Sequence, residues 1–473
     1  MSVIARVSVW VAVVAVAGLG VLTWISVHVP EGANRASEVL LWNTVMWLVF
    51  ALGAFAVMRS PRRAAIGLIL AGGLALQVVA MSTPPQTSTD YYRYAWDGEV
   101  QAAGVNPYRY VPVDPALETL RDDTWLWPPG RTCPEFGVPA GQACPVLNRP
   151  AVPTIYPPFA QLYFLAVELV SPRGSHGFPL QLIAGLTGVA VTGSILLIAR
   201  ARRSDPRRAV LWSWCPLVVL NLGNNAHLDG LSALLVVVSL GLIAAKPVLS
   251  RTRAIGAGIT LGLAVATKLL PALLLPVVVK RRPFAIVLAA AATVAMLYLP
   301  HVLSLGSGVS GYLSGYIEEE KGGQFAVIKL FVSDQDWALR IGLILLVLLT
   351  LWAIWRSDPA RPWLAGAAMV GGFFLITTPT YEWYALLLVP LVAMGAPARW
   401  LVLVFAMTLV FFEVAINWEF PPARGLLYLA AGTVVAALAL GDYVGKLIEP
   451  VADRHETGSR PDAIEPSETE VAI

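Results

Sequence analysis

Charge is scarce in this chain. Only 13% of its 473 residues are Asp, Glu, Lys or Arg, against 57% that are hydrophobic. A water-facing globule carries about a quarter of its residues as charges, so a soluble domain is excluded. The net charge of +3 is small and comes from arginines in loops, which argues against a nucleic-acid partner. Cysteine is scarcer still, with three in all. Cys215 lies in an apolar run and reads as inert packing. Cys133 and Cys144 lie in a long polar segment, and two cysteines are too few for a structural zinc site. A disulfide between them, closing a short loop in an oxidising compartment, is the better reading than two free thiols. A convincing internal repeat is missing too, which weakens a transporter reading, since transporters are often built from repeats.

What the chain has in abundance is apolar runs of bilayer-spanning length, recurring from end to end. The first, residues 7–27, is too long for a signal-peptide core and lacks a small-residue cleavage site, so a retained span is expected. Short basic loops at 59–63, 200–208, 246–253, 280–282 and 356–361 belong in the cytoplasm by the positive-inside rule. The loops between them, at 30–38, 224–230, 306–324, 377–382 and 417–422, are poor in basic residues and are expected outside. The polar segment 81–153 falls on that outer side, where a disulfide would also put it. Segment 155–170 is apolar, but it is short and opens with two prolines, so it is expected to lie as a juxtamembrane helix against the outer surface. Within 254–279 the sequence Thr267-Lys268-Leu269-Leu270-Pro271 predicts a break between two half-helices. These readings sum to an all-α polytopic membrane protein of roughly 12 to 14 transmembrane helices. Residues 1–445 form the membrane domain, both termini are cytoplasmic, and the polar tail 446–473 is disordered.

The residues that can carry chemistry gather on the outer side. Asp90 follows a span at 64–79 by about ten residues, which puts it at the outer interface. Shielded by Tyr91, Tyr92, Tyr94 and Trp96, it can hold a raised pKa and accept a proton from a hydroxyl. It can equally be the N-cap of a helix reaching Ala103, and the aromatics an interfacial belt. Asp97 lies two helical turns on, on the same face, and Arg93 is spaced to pair with either carboxylate. Such a ladder can be structural, or Arg93 can orient a carboxylate or touch a phosphate. Gly104-Val105-Asn106-Pro107-Tyr108 reads as a helix stop and turn. In Asn224-Asn225-Ala226-His227-Leu228-Asp229-Gly230, His227 and Asp229 can bind a phosphate or a metal, or cap the helix that follows. Lys268 can meet a lipid phosphate or snorkel to headgroups. His301 and Arg424 are similarly open, and Glu382 sits among aromatics in Thr380-Tyr381-Glu382-Trp383-Tyr384.

Taken together, the motifs Asp90-Tyr91-Tyr92-Arg93-Tyr94, Gly104 to Tyr108, Thr154-Ile155-Tyr156-Pro157-Pro158, Asn225 to Gly230, Ala266 to Pro271 and Pro379 to Tyr384 resemble the GT-C superfamily of membrane glycosyltransferases. Within it they are most similar to the actinobacterial polyprenyl-phosphate-dependent mannosyltransferases that elongate phosphatidylinositol mannosides and lipomannan. The resemblance covers roughly residues 64–401. It implies a GT-C fold in the plasma membrane, with the active site facing the periplasm. It also implies a sugar donor on a polyprenyl phosphate, a glycolipid or glycan acceptor, and inversion with Asp90 as general base. Because the leaving group is already a lipid phosphate, the resemblance implies no cofactor and no obligatory metal. Arg93, Asp97, Tyr94, His227, Asp229, Lys268, His301, Glu382 and Tyr384 are then the candidates for binding donor phosphate and substrate. Two departures stand out: two spans precede the one leading to Asp90, and Tyr381-Glu382-Trp383 occupies a stretch where several relatives carry histidine. Mannose is the sugar this family suggests, with arabinose or other lipid-linked sugars open. A lipid-linked sugar flippase and a non-catalytic scaffold for envelope assembly are the competing readings.

Overall fold

A computed structural model of the chain describes residues 2–122, 124–130, 144–244, 248–416 and 422–448. Cys133 and the tail beyond Ile448 lie outside the described residues, and with them the expected cysteine pairing and the expected disorder of the tail. All regular secondary structure among the described residues is helical. Seven helices are long and apolar enough to cross a membrane, and five shorter apolar helices accompany them. The protein is therefore an all-α polytopic membrane protein.

Three long helices open the chain: α1 (Val3–Val27), α2 (Arg35–Arg59) and α3 (Arg62–Ala80). Their apolar residues run around the whole helix circumference, as lipid-facing helices require. Small residues let them approach one another and the segment beneath. A side chain at Gly72 would run into Val16 and the Trp214 ring, and one at Gly73 into the Ser213 hydroxyl. Trp212 and Trp214 are fully buried at that crossing and anchor the large membrane core.

The polar segment after α3 folds onto one end of the bundle, beyond the C-terminal end of α3. It begins with α4 (Asp90–Ala102), and α5 (Pro158–Val170) packs across it. At 13 residues α5 spans about 20 Å, short of the roughly 30 Å hydrocarbon core. The crossing is close at Gly98, where a Cβ would stand 2.7 Å from the Phe164 carbonyl oxygen. A second core, separate from the membrane one, fills the space around these two helices. Tyr94 stacks on Phe164 at 4.6 Å, and Trp96 meets Trp127 edge-on at 5.3 Å. Tyr91, Tyr94 and Trp96 are thus buried inside this second core instead of forming a belt at the lipid surface. The physical reason is that α5 and α6 (Phe178–Ala201) supply apolar partners for them.

The expected break near Lys268 is present. Helix Arg251–Thr267 stops at Lys268, whose backbone is extended, and a 3-10 turn at Leu270–Leu274 follows. Pro271 lacks the N–H that continuation of the helix would need.

Candidate active site

Segment 82–89 links α3 to α4, and two asparagines hold it. The Asn224 amide donates to the Ala80 carbonyl oxygen at 3.0 Å, and its side-chain oxygen accepts from the Gln86 N–H at 2.9 Å. Asn225 accepts from the Thr87 N–H at 3.2 Å and donates to the Thr87 hydroxyl at 2.7 Å. Both asparagines are buried at the end of a π-helical turn, Val219–Asn224. These bonds, with others from Asn224 to Thr83 and Pro84, fix the backbone just ahead of Asp90.

Asp90 is the first residue of α4. The N-cap position itself belongs to Thr89, which makes no side-chain capping bond. The carboxylate of Asp90 is therefore free for other partners. Asn148 donates to one of its oxygens at 2.7 Å. The other lies 3.8 Å from His227 Nδ1. The Asp90 side chain retains 17% exposure, toward a cavity, whereas His227 is wholly buried. Burial pushes the Asp90 carboxyl above the ordinary carboxylate range; Lys268, the Asn148 bond, Arg149 and Tyr156 offset part of that rise. Burial, reinforced by Lys268, drives His227 well below the usual imidazole range, so it is neutral near pH 7. Its ring stacks on Trp383 at 4.3 Å, Nδ1 lies 3.5 Å from the Tyr94 hydroxyl, and Nε2 is buried with no hydrogen-bond partner among the described residues.

The cavity in front of Asp90 measures about 1010 Å³. Asn148, Arg149, Tyr156, Lys268 and Tyr384 line it together with Asp90. Lys268 reaches the Asp229 carboxylate at 2.7 Å and lies 5.3 Å from the Tyr384 ring centre. Arg149 pairs with Glu319 at 2.6 Å. From the Lys268 side a second space of about 660 Å³ runs between apolar walls that include Leu273, Ile317 and Phe373. Ile155, Tyr156, Lys268, Tyr316 and Tyr384 border both spaces. A cation thus stands where a polar chamber opens into an apolar groove.

The remaining sequence candidates fall elsewhere. Arg93 and Asp97 pair at 2.9 Å beneath α5, where both are buried. Asp97 also accepts from Thr154 at 2.6 Å and from the Gln161 amide at 2.9 Å, while Arg93 donates to the Val152 carbonyl oxygen at 3.2 Å. Neither borders the cavity. Tyr94 does not border the cavity and reaches the site through His227 and Tyr156. His301 lies 3.3 Å from the Asn106 side chain and beside Tyr108, away from Asp90. Glu382 is buried below the chamber, with Asn221 donating to it at 3.0 Å. Among the described residues no group of three or more His, Cys, Asp or Glu side chains is placed to hold a metal ion. Asn148, Arg149, Tyr156 and Tyr316 enter the site without having been singled out for it. Only the Tyr156-Pro157-Pro158 motif offered a signal for any of them.

A carboxylate of raised basicity, facing a chamber that meets an apolar groove at a lysine, suits chemistry on a lipid-linked substrate. Residues 154–380 match the model of glycosyltransferase family 87. The match covers just under half of the chain. It is similar to that family across the stretch holding α5, His227, Asp229, Lys268 and Tyr316, and it points to glycosyl transfer at a membrane. Asp90 and Asn148 precede the matched stretch, and Tyr384 follows it. No curated protein matches the chain.

Proposed function

We propose that this protein is an inverting membrane glycosyltransferase that moves a sugar from a polyprenyl phosphate to a cell-envelope glycolipid or glycan. The sugar we assign is mannose, and the reacting side is the outer face of the plasma membrane. The observation that supports this reading is the position of Lys268, where the polar chamber opens into the apolar groove. The groove accepts the isoprenoid chain, and Lys268 and Arg149 face the phosphate.

In the reaction the acceptor oxygen attacks the anomeric carbon, and the bond from that carbon to the phosphate oxygen breaks. The acceptor proton passes to Asp90, and polyprenyl phosphate leaves with the bonding pair. The raised basicity of Asp90 suits it to take that proton. Lys268 and Arg149 stabilise the charge that grows on the leaving phosphate. Asn148 holds one oxygen of Asp90, and neutral His227 sits against the other without competing for it as a cation.

The test is transfer by purified protein from radiolabelled polyprenyl-phosphate mannose to extracted envelope glycolipid. The expected result is labelled product with wild type and about a thousandfold slower transfer with Asp90→Asn at unchanged folding. Wild-type turnover by that variant overturns the assignment of Asp90. Labelling of a cysteine placed beside Asp90 only from the cytoplasmic side overturns the outer-face mechanism.

A further inference from the structure

A second groove lies at the opposite end of the bundle from Asp90. It runs between α3 and α6, encloses about 810 Å³, and has Leu70, Leu197 and Gly193 in its wall. Leu70 and Leu197 are 39% and 68% exposed, so the groove opens sideways toward lipid. A side chain at Gly193 would meet nothing within 4 Å. Over the mouth stand Arg62, Arg200 and Arg203, all exposed.

These three arginines have no ion-pair partner among the described residues. The carboxylate close by, Asp205, is bound by Arg207, with contacts of 2.8 to 3.1 Å, and Arg62 acts on it only from beyond ion-pair distance. No acidic residue stands in the first turn of α3 beside Arg62. Arg203 closes α6 in a left-handed conformation, φ 54°, a position that favours glycine. That turn closes the helix, with the Ser204 N–H donating to the Ala199 carbonyl oxygen at 2.9 Å, and places Arg203 at the groove. The basic character of this end is also what the positive-inside rule places in the cytoplasm.

We propose that this groove is a binding site for an anionic phospholipid of the cytoplasmic leaflet. The phosphodiester sits among the three guanidinium groups, and an acyl chain lies along the groove over Gly193. Arginine suits this role because its planar fork donates two hydrogen bonds to one phosphate. The site is separate from the outer chamber and does not depend on the function proposed for it.

The experiment is native mass spectrometry of the full-length protein released from nanodiscs of phosphatidylcholine with about one fifth phosphatidylglycerol, an anionic lipid that basic clusters attract. Wild type should retain phosphatidylglycerol at least about tenfold over phosphatidylcholine, the factor that 1.4 kcal/mol represents. The triple variant Arg62→Gln, Arg200→Gln, Arg203→Gln should lose that preference. Gly193→Leu, which keeps every charge and fills open space, should lose it as well. A control, Arg251→Gln with Arg253→Gln, removes cytoplasmic-side charge outside the groove and should retain it. Equal retention of both lipids by wild type overturns the proposal, as does a loss by the control equal to that of the triple variant. Full retention by Gly193→Leu overturns the groove as the acyl site.

Discussion

Two aspartates seven residues apart on α4 have opposite fates. Asp90 keeps one face toward a chamber and has one short bond, from Asn148. Asp97 is sealed beneath α5 with Arg93, Thr154 and Gln161 filling its oxygens. The first is left basic and accessible. The second is neutralised, fully bonded and out of reach. What separates them is the close crossing at Gly98, which lets α5 cover Tyr94 and Asp97 while Asp90, at the start of the helix, stays at the cavity edge. Chemistry and structure are thus divided along a single helix by where another helix lies across it.

That contrast can be broken at either end. The largest effect is expected at Asp90: its change to Asn should lower transfer by about three orders of magnitude, the middle of the general-base range, with melting unchanged. Asp97→Ala should act the other way round. Leaving the buried Arg93 charge unpaired should cost about 3–5 kcal/mol of stability, read as a large fall in melting temperature in detergent. The double variant Arg93→Met, Asp97→Leu should recover most of that loss while the folded fraction keeps its turnover. If Asp97→Ala leaves stability intact but abolishes turnover, the division between the two aspartates is wrong.

A smaller effect is expected from Lys268→Met. Removing one charge-stabilising contact should lower transfer by about a hundredfold, and it should also change the pH dependence. A general base must be deprotonated, so activity falls as pH drops through the pKa of Asp90. Burial raises that pKa, and Lys268 pulls it back down. Without the lysine, the acid limb of the kcat/KM profile should move to higher pH. Asn148→Ala should shift the limb in the same direction by less, because its bond ranks below Lys268 among the opposing influences. A limb that moves downward in either variant contradicts Asp90 as the titrating group.

Much of the plan was legible in the sequence because a bilayer imposes simple demands. Span length, the basic loops, the proline-led helix and the break after Thr267 all follow from local composition. Asp90 was legible by its place after a span. The helical spacing that aligned Asp97 with it was sound, yet the surroundings of each were not, since these depend on α5 crossing at Gly98 more than sixty residues before its own partners. The aromatics near Asp90 read equally well as a lipid-facing belt, because burial against α5 is a long-range fact. Asn148 and Arg149 reach the site from a polar stretch with no periodicity, and Arg149 does so with a left-handed backbone, φ 47°. Asn224 and Asn225 looked like loop residues, although they tether the segment that aims Asp90.

The meeting of chamber and groove at Lys268 has a kinetic consequence. A donor whose chain stays in the groove never leaves the bilayer, and only its head enters the chamber. The chamber extends away from Lys268 to Arg35, Ala36 and Phe412, so a second substrate has its own way in. Under the proposed mechanism both must be present together, with no sugar parked on the enzyme between them. Initial-rate plots against either substrate should then intersect instead of running parallel, and the spent carrier should inhibit competitively against the donor alone.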